Sequence, residues 1–215
     1  MSKVIVIIGA GNGIGKAVAE RFGKEGFAVA LIARKKGKLH ELQHELKQKN
    51  IDAYTFIGDA GDTESMRDVF SQIWEKWDFI EVLHYNVANL KNVDIANETA
   101  DGLTKDFKVN VAGVMTALHH VLPDLEKKKK GTILLTGGGY SLQPNPQYGS
   151  LSIGKAGIRN LAQSLHIALQ PKNIFVGTVT ICGKVDEMDE KYTPIKIAEQ
   201  FWKLYIEKSE SEIQY

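Results

Sequence analysis

The most constraining feature of the sequence is its opening. A short apolar run, Val4-Ile5-Val6-Ile7-Ile8, leads at once into Gly9-Ala10-Gly11-Asn12-Gly13-Ile14-Gly15, and Ile14, Val18 and Phe22 then recur at helical spacing. That order reads as strand, tight turn and helix. The unit repeats: residues 27–33 predict a strand, residues 38–49 a helix with a Leu39, Leu42, Leu46 stripe, 52–57 a strand, 64–77 a helix and 80–85 a strand. Beyond a polar stretch at 88–101, one long helix is expected over 103–126, with Pro123 bending or ending its last turn. A strand at 132–136, a helix at 150–169, a strand at 174–181, a helix at 194–207 begun by Pro194 and a short edge strand at 212–215 complete the chain. Strands alternating with helices predict an α/β fold, a three-layer, doubly wound parallel sheet.

At 215 residues, with no linker, low-complexity tract or internal repeat, the chain is expected to form a single domain over 1–215. Its 43% apolar and 25% charged residues exclude intrinsic disorder. Lysine and arginine total 27 against 26 acidic residues, so nothing global attracts nucleic acid or an anionic membrane. The basic run Lys127–Lys130 follows a predicted helix end, where cations suit the negative pole of the helix. One cysteine, Cys182, allows neither an internal disulfide nor a thiolate zinc cage, and a cytoplasmic setting is expected. The five-residue run Val4–Ile8 is too short for a signal peptide or a membrane span.

The glycine turn carries the first chemistry. Its pattern is G-x-x-x-G-x-G on Gly9, Gly13 and Gly15, since Ile14 stands at the third site of the commoner G-x-G-x-x-G spacing begun by Gly9 and Gly11. Glycines let the main chain approach a pyrophosphate, which then meets free N–H groups at the start of a helix. This makes Gly9, Gly11, Asn12, Gly13, Ile14 and Gly15 candidate dinucleotide ligands and the fold Rossmann-type, its crevice at the carboxyl ends of the strands. The second strand ends in Ala33-Arg34-Lys35-Lys36, not in the acidic residue that would hold a free ribose hydroxyl. Arg34 can fork onto a 2′-phosphate and Lys35 adds charge, which favours NADP, with NAD as the alternative. Asp59, followed by Ala60 after the third strand, is placed to accept from an adenine amino group.

With these residues in order, the chain resembles the short-chain dehydrogenase/reductase family over most of its length. The family's glycine turn corresponds to Gly9, Gly13 and Gly15, its aspartate to Asp59, and its Asn-Asn-Ala-Gly signature, loosely, to Tyr85-Asn86-Val87-Ala88. Its mid-helix asparagine corresponds to Asn110 and its active-site lysine to Lys155. The resemblance implies cofactor contacts from Asn86, Val87, Ala88 and Lys155, and catalytic places for Lys155 and Asn110. Two departures fall on the chemistry. Leu151 stands where the family has its tyrosine, and Gly138, within Gly137-Gly138-Gly139, where it has its serine. In the family the tyrosine protonates the alkoxide left by hydride transfer, and leucine cannot.

Tyr148, seven residues before Lys155, is the replacement acid to be tested; Tyr140 and Ser141 on the glycine loop are further candidates. The S-x-x-K spacing of Ser152 and Lys155 lacks its companion motifs. The literal H-E-x-x-H of His40–His44 has no evident third ligand, so no metal is expected, and His119 and His120 point to different sides of their helix. The expected function is that of an NADP(H)-dependent oxidoreductase acting on a small-molecule carbonyl or alcohol with atypical acid catalysis. The alternative is a noncatalytic NADP(H)-binding sensor or scaffold. The segment from Lys184 to Thr193 is short and polar, which predicts an open pocket. Apolar residues cover more than half the circumference of the 150–169 helix, from Leu151 and Ile153 to Ile167 and Leu169, which calls for burial on a second side, either at a central position inside the monomer or, the favoured expectation, at the interface of a homo-oligomer.

Overall fold

A computed structural model describes residues 3–215. Seven strands form one parallel sheet in the order β3-β2-β1-β4-β5-β6-β7: β1 (Val4–Ile8), β2 (Ala28–Ala33), β3 (Ala53–Ile57), β4 (Val82–Tyr85), β5 (Gly131–Thr136), β6 (Ile174–Thr180) and β7 (Glu212–Gln214). Strand order reverses direction between β1 and β4, so the crossover helices diverge there and leave a crevice at the carboxyl ends.

Because successive side chains on a strand face opposite ways, β1 feeds two cores. Val4, Val6 and Ile8 join the layer covered by α3 (Thr63–Lys76), α5 (Gly113–Lys128) and α6 (Gly149–Leu169). Ile5 and Ile7 join the layer under α1 (Ile14–Gly23), α2 (Lys36–Gln48) and α7 (Pro194–Glu207). Phe22, Phe27, Trp202 and Tyr205 meet edge-on or tilted in that second layer, and Arg21 lies 4.3 Å above the Trp202 ring.

The expected helix over 103–126 is in fact three segments. It starts earlier, as α4 (Ala100–Phe107), because the Thr99 hydroxyl accepts from the Gly102 amide at 3.0 Å and caps it. A π-helical turn, Lys108–Ala112, then separates α4 from α5. Pro123 does not end the helix, which continues to Lys128: Pro123 and His119 are both exposed, so water can serve the carbonyl that loses its amide partner. Lys127 and Lys128 occupy the last turn, and Lys130 reaches the buried Glu81 at 2.9 Å.

Strand β7 pairs parallel with β6 and is pinned by Arg159 on α6, whose Nε and Nη2 each donate to the Glu212 carboxylate at 2.8 Å; the Thr180 hydroxyl adds a bond of 2.6 Å. On α6 itself, Leu151, Ile158, Ala162 and Leu169 are buried, whereas Ile153 and Ile167 are exposed. No helix among the described residues is long and apolar enough to cross a membrane.

Candidate active site

Two adjoining cavities occupy the crevice. A groove of about 370 Å³ runs over the carboxyl ends of β1, β2 and β3, lined by Gly9–Asn12, Arg34, Lys35, Lys38, Asp59, Ala60 and Asn86–Ala88. A cleft of about 1000 Å³ continues from Gly11–Gly15 past Thr136 and the Gly137–Gly139 loop to Tyr140, Tyr148, Leu151 and Lys155. Gly11, Asn86 and Ala88 line both.

The glycine turn is held open by its neighbours. Gly9 has φ +87°, and a Cβ there would meet the Asn86 main chain at 2.8 Å. Its amide and that of Ala10 both donate to the Ile32 carbonyl at 3.0 Å, which ties the turn to β2. A Cβ at Gly15 would lie 2.9 Å from the Gly9 carbonyl, so α1 packs directly on the loop. Gly11 and Gly13, by contrast, face open space. Gly13 caps α1 with no side-chain acceptor, which leaves first-turn amides, including those of Ile14 and Gly15, to meet an anion.

Asn86 is a clamp. Its Nδ2 donates to the Gly9 carbonyl at 3.0 Å, and its Oδ1 accepts from the Thr136 hydroxyl at 2.9 Å. With that proton committed, the Thr136 oxygen can only accept from the fully buried His84, whose Nε2 lies 3.0 Å away. His84 is therefore the Nε2–H tautomer, and desolvation lowers its pKa to about 3. A chain His84–Thr136–Asn86–Gly9 thus links β4 and β5 to the turn.

At the groove's outer end, Arg34 is 71% exposed and its Nη1 lies 3.8 Å from Asp59 Oδ2. Asp59 Oδ1 accepts from the Gly61 amide at 2.9 Å. An ion pair this open contributes little and leaves the guanidinium free to turn to a phosphate. Lys38, in the first turns of α2, joins Arg34 and Lys35 here; sequence reading missed it because the helix was expected to begin there and not at Lys36.

In the cleft, Lys155 donates from Nζ to the Thr136 carbonyl at 2.7 Å, and burial lowers its pKa to about 8. A Cβ at Gly138 would sit 3.3 Å from the lysine stem, so the side chain lies along the glycine main chain. Leu151, one turn earlier on α6, is buried and faces the cleft. Asn110 lies on the π-helical turn, a distortion that recurs at functional sites. Its Oδ1 accepts from the Asn89 amide at 2.7 Å, while its Nδ2 is buried without a partner against Gly154. Asn89, which sequence reading passed over, also donates to Asp106 at 2.5 Å and so ties the turn to the end of α4.

The hydroxyl candidates are separated in role. Tyr148 caps α6, and its ring stacks on that of Tyr140 with centroids 5.8 Å apart and planes 21° from parallel. Both line the cleft, and neither has a hydrogen bond to Lys155. Ser152 donates to the Tyr148 carbonyl at 3.0 Å and accepts from the Asn145 amide at 3.1 Å, so its hydroxyl serves the helix start and not the lysine. The Ser141 hydroxyl oxygen is buried without a partner. His40 and His44 lie exposed on α2 and line neither cavity, and no group of three potential ligands stands together among the described residues.

A parallel sheet with a glycine turn at its switch point and a cleft beside it defines a Rossmann-type α/β protein. The family is more specific: the family model for short chain dehydrogenases matches residues 3–194, and the chain belongs to that family. It is 30% identical over 184 residues to the very-long-chain 3-oxoacyl-CoA reductase of Anas platyrhynchos, with 81% of this chain and 57% of that protein aligned. It is also 30% identical over 177 residues to the inactive hydroxysteroid dehydrogenase-like protein 1 of Homo sapiens, covering 80% of this chain and 52% of the other. The chain thus spans a little over half the length of these relatives. In three dimensions it matches a metagenomic short-chain oxidoreductase solved in complex with NADP, with a TM-score of 0.88, 20% identity, and 99% and 96% of the two chains covered.

Proposed function

We propose that the protein is an NADP(H)-dependent oxidoreductase that acts on a carbonyl or alcohol and delivers the proton atypically. The carrying observation is the continuous groove and cleft, with Arg34, Lys35 and Lys38 at one end and Lys155 at the other. Its donor set fits a dinucleotide: open glycine main chain and helix-start amides for a phosphate pair, and three cations about the outer end. When bound, the reduced nicotinamide supplies a hydride.

The chain's own residues divide the remaining work. The first-turn amides of α1 hold the pyrophosphate, Arg34 forks onto the 2′-phosphate, and Asp59 accepts from the adenine amino group. Lys155 holds ribose hydroxyls and, with a pKa of about 8, keeps its proton and its charge beside the reacting carbonyl at neutral pH. Asn110, buried and outside the lining of both cavities, acts as a positioning residue, its Oδ1 holding the Asn89 amide between the cleft-lining Ala88 and Leu90. Tyr148 is the remaining acid, acting without the lysine contact that would sharpen a phenol. The single Cys182 suits a reducing, cytoplasmic setting, and the exposed Ile153 and Ile167 suit a homo-oligomer built on α6.

Leu151 favours a second reading, a noncatalytic NADP(H) sensor or scaffold, and a human relative whose name begins with "inactive" is consistent with it. Titration calorimetry with NADPH and NADH, followed by a panel of carbonyls, separates the two. Binding of NADPH at least tenfold tighter than NADH, with turnover, supports the enzyme. Binding without turnover leaves the sensor, and absence of heat with every nicotinamide dinucleotide overturns both.

A further inference from the structure

Two features of the cleft bear on its substrate. The position one helical turn before Lys155 is an apolar leucine, so the charge left by hydride addition finds an ammonium but no phenol hydrogen-bonded to it. The cleft is also lined by an aromatic and apolar set: the Tyr140 and Tyr148 rings, stacked on one another with planes 21° apart, together with Leu142 and Leu90, which are 40% and 71% exposed, and Val185. An aliphatic ketone gives an alkoxide whose conjugate acid is about as weak an acid as water. A phenolic oxygen has a pKa of about 10. With no phenol hydrogen-bonded to Lys155, the site suits an acceptor whose reduced form is a delocalised aryloxide.

We propose that the substrate class is a flat, uncharged quinone, stacked on the Tyr140–Tyr148 pair with one oxygen directed toward Lys155. This rests on the NADP(H) reading above. The quinone accepts a hydride from the reduced dinucleotide: the donor C–H bond breaks, an O–H bond forms at one quinone oxygen, and the ring becomes aromatic. The second oxygen becomes an aryloxide, paired with the ammonium, and takes its proton from water. The quinone is reduced by two electrons and the dinucleotide oxidised by two.

The test has a binding arm and a rate arm, both on the full chain with NADPH binding measured first. By calorimetry, 2-naphthol, which mimics the product and undergoes no hydride transfer here, is expected to bind the NADP⁺-loaded protein and to lose at least tenfold in affinity in Tyr140→Ala. In the rate arm, NADPH oxidation with 1,4-naphthoquinone, corrected for the protein-free reaction, is expected to exceed that with cyclohexanone by at least a hundredfold. Leu151→Tyr, checked for retained NADPH binding, should narrow that ratio at least tenfold by restoring a phenol beside Lys155. Cyclohexanone turned over as fast as the quinone, or tight NADPH binding with neither naphthol binding nor quinone reduction, overturns the substrate class while leaving the cofactor reading intact. Failure of NADPH to bind overturns the cofactor reading itself.

Discussion

At the scale of single residues, the site depends on a few atoms with no slack. Gly9→Ala would force a side chain into positive φ and against the Asn86 main chain, so a loss of about 2 kcal/mol or more is expected in urea unfolding, with NADPH binding lost alongside. Arg34→Ala should weaken NADPH by about 10- to 100-fold, as one charge-assisted contact of ~1.5–3 kcal/mol implies, and leave NADH affinity within about twofold. His84 predicts an acid sensitivity. Its folded pKa of about 3 lies below the ordinary 6.5, so the unfolded chain binds the extra proton first, and stability falls as pH drops from about 6.5 toward 3. The slope approaches about 1.4 kcal/mol per pH unit, and His84→Asn should flatten it between pH 6 and 4.5 in thermal melts. The glycines, Arg34 and Asp59 were expected at the groove because each lies at a fixed distance from a strand end, and Lys155 through the family resemblance; all of them line the crevice, whereas Asn110, expected on the same resemblance, does not. Thr136 and Asn89 were not legible in the sequence. Thr136 matters because His84 pairs with Leu134 in the sheet, which puts residue 136 on the same face two positions on, and a register between strands cannot be read from either strand alone.

At the scale of elements, the strands and helices followed from periodicity, and the departures have local causes. The π-helical turn at Lys108–Ala112 is invisible to a 3.6-residue pattern because α4 and α5 on either side keep their own apolar faces. The exposed position of Pro123, not its residue type, decided whether α5 would continue. Replacing it restores an amide to the ladder, so Pro123→Ala is expected to raise stability by about 1 kcal/mol in chemical denaturation. The last strand gives a second test. Glu212 is nearly buried, and the Arg159 hydrogen bonds hold its carboxyl below the usual range. Arg159→Met strands that charge, so β7 should fray: hydrogen exchange should quicken at the Tyr215 amide, bonded to Thr180, and at the Cys182 amide, bonded to Tyr215. Unchanged protection there would mean that β7 is held by Ile213 packing alone.

At the scale of the whole molecule, the crevice is where the two halves of the sheet meet, and everything that closes it acts across β1, β2, β4 and β5 at once. The turn is tied to β2 through Ile32, to β4 through Asn86 and to β5 through Thr136. A dinucleotide lying over these ends bridges elements that otherwise meet only through the sheet, and it binds the folded state alone. By mass action, ligand at 100 times its dissociation constant stabilises by about 2.7 kcal/mol. For a chain of 215 residues, each 1 kcal/mol moves Tm by roughly 2–4 °C, so NADPH should raise Tm by roughly 5–11 °C. At equal concentration NADH should shift it far less, because the cations around Arg34 would have no phosphate to meet. Asn86→Ala separates the scaffold from the contact: the chain loses the clamp between Gly9 and Thr136, so the melt without ligand should fall while the difference between NADPH and NADH persists. Equal shifts from both dinucleotides in the unaltered protein would take the discriminating role from the Arg34 end of the groove and assign all of the binding to the glycine turn.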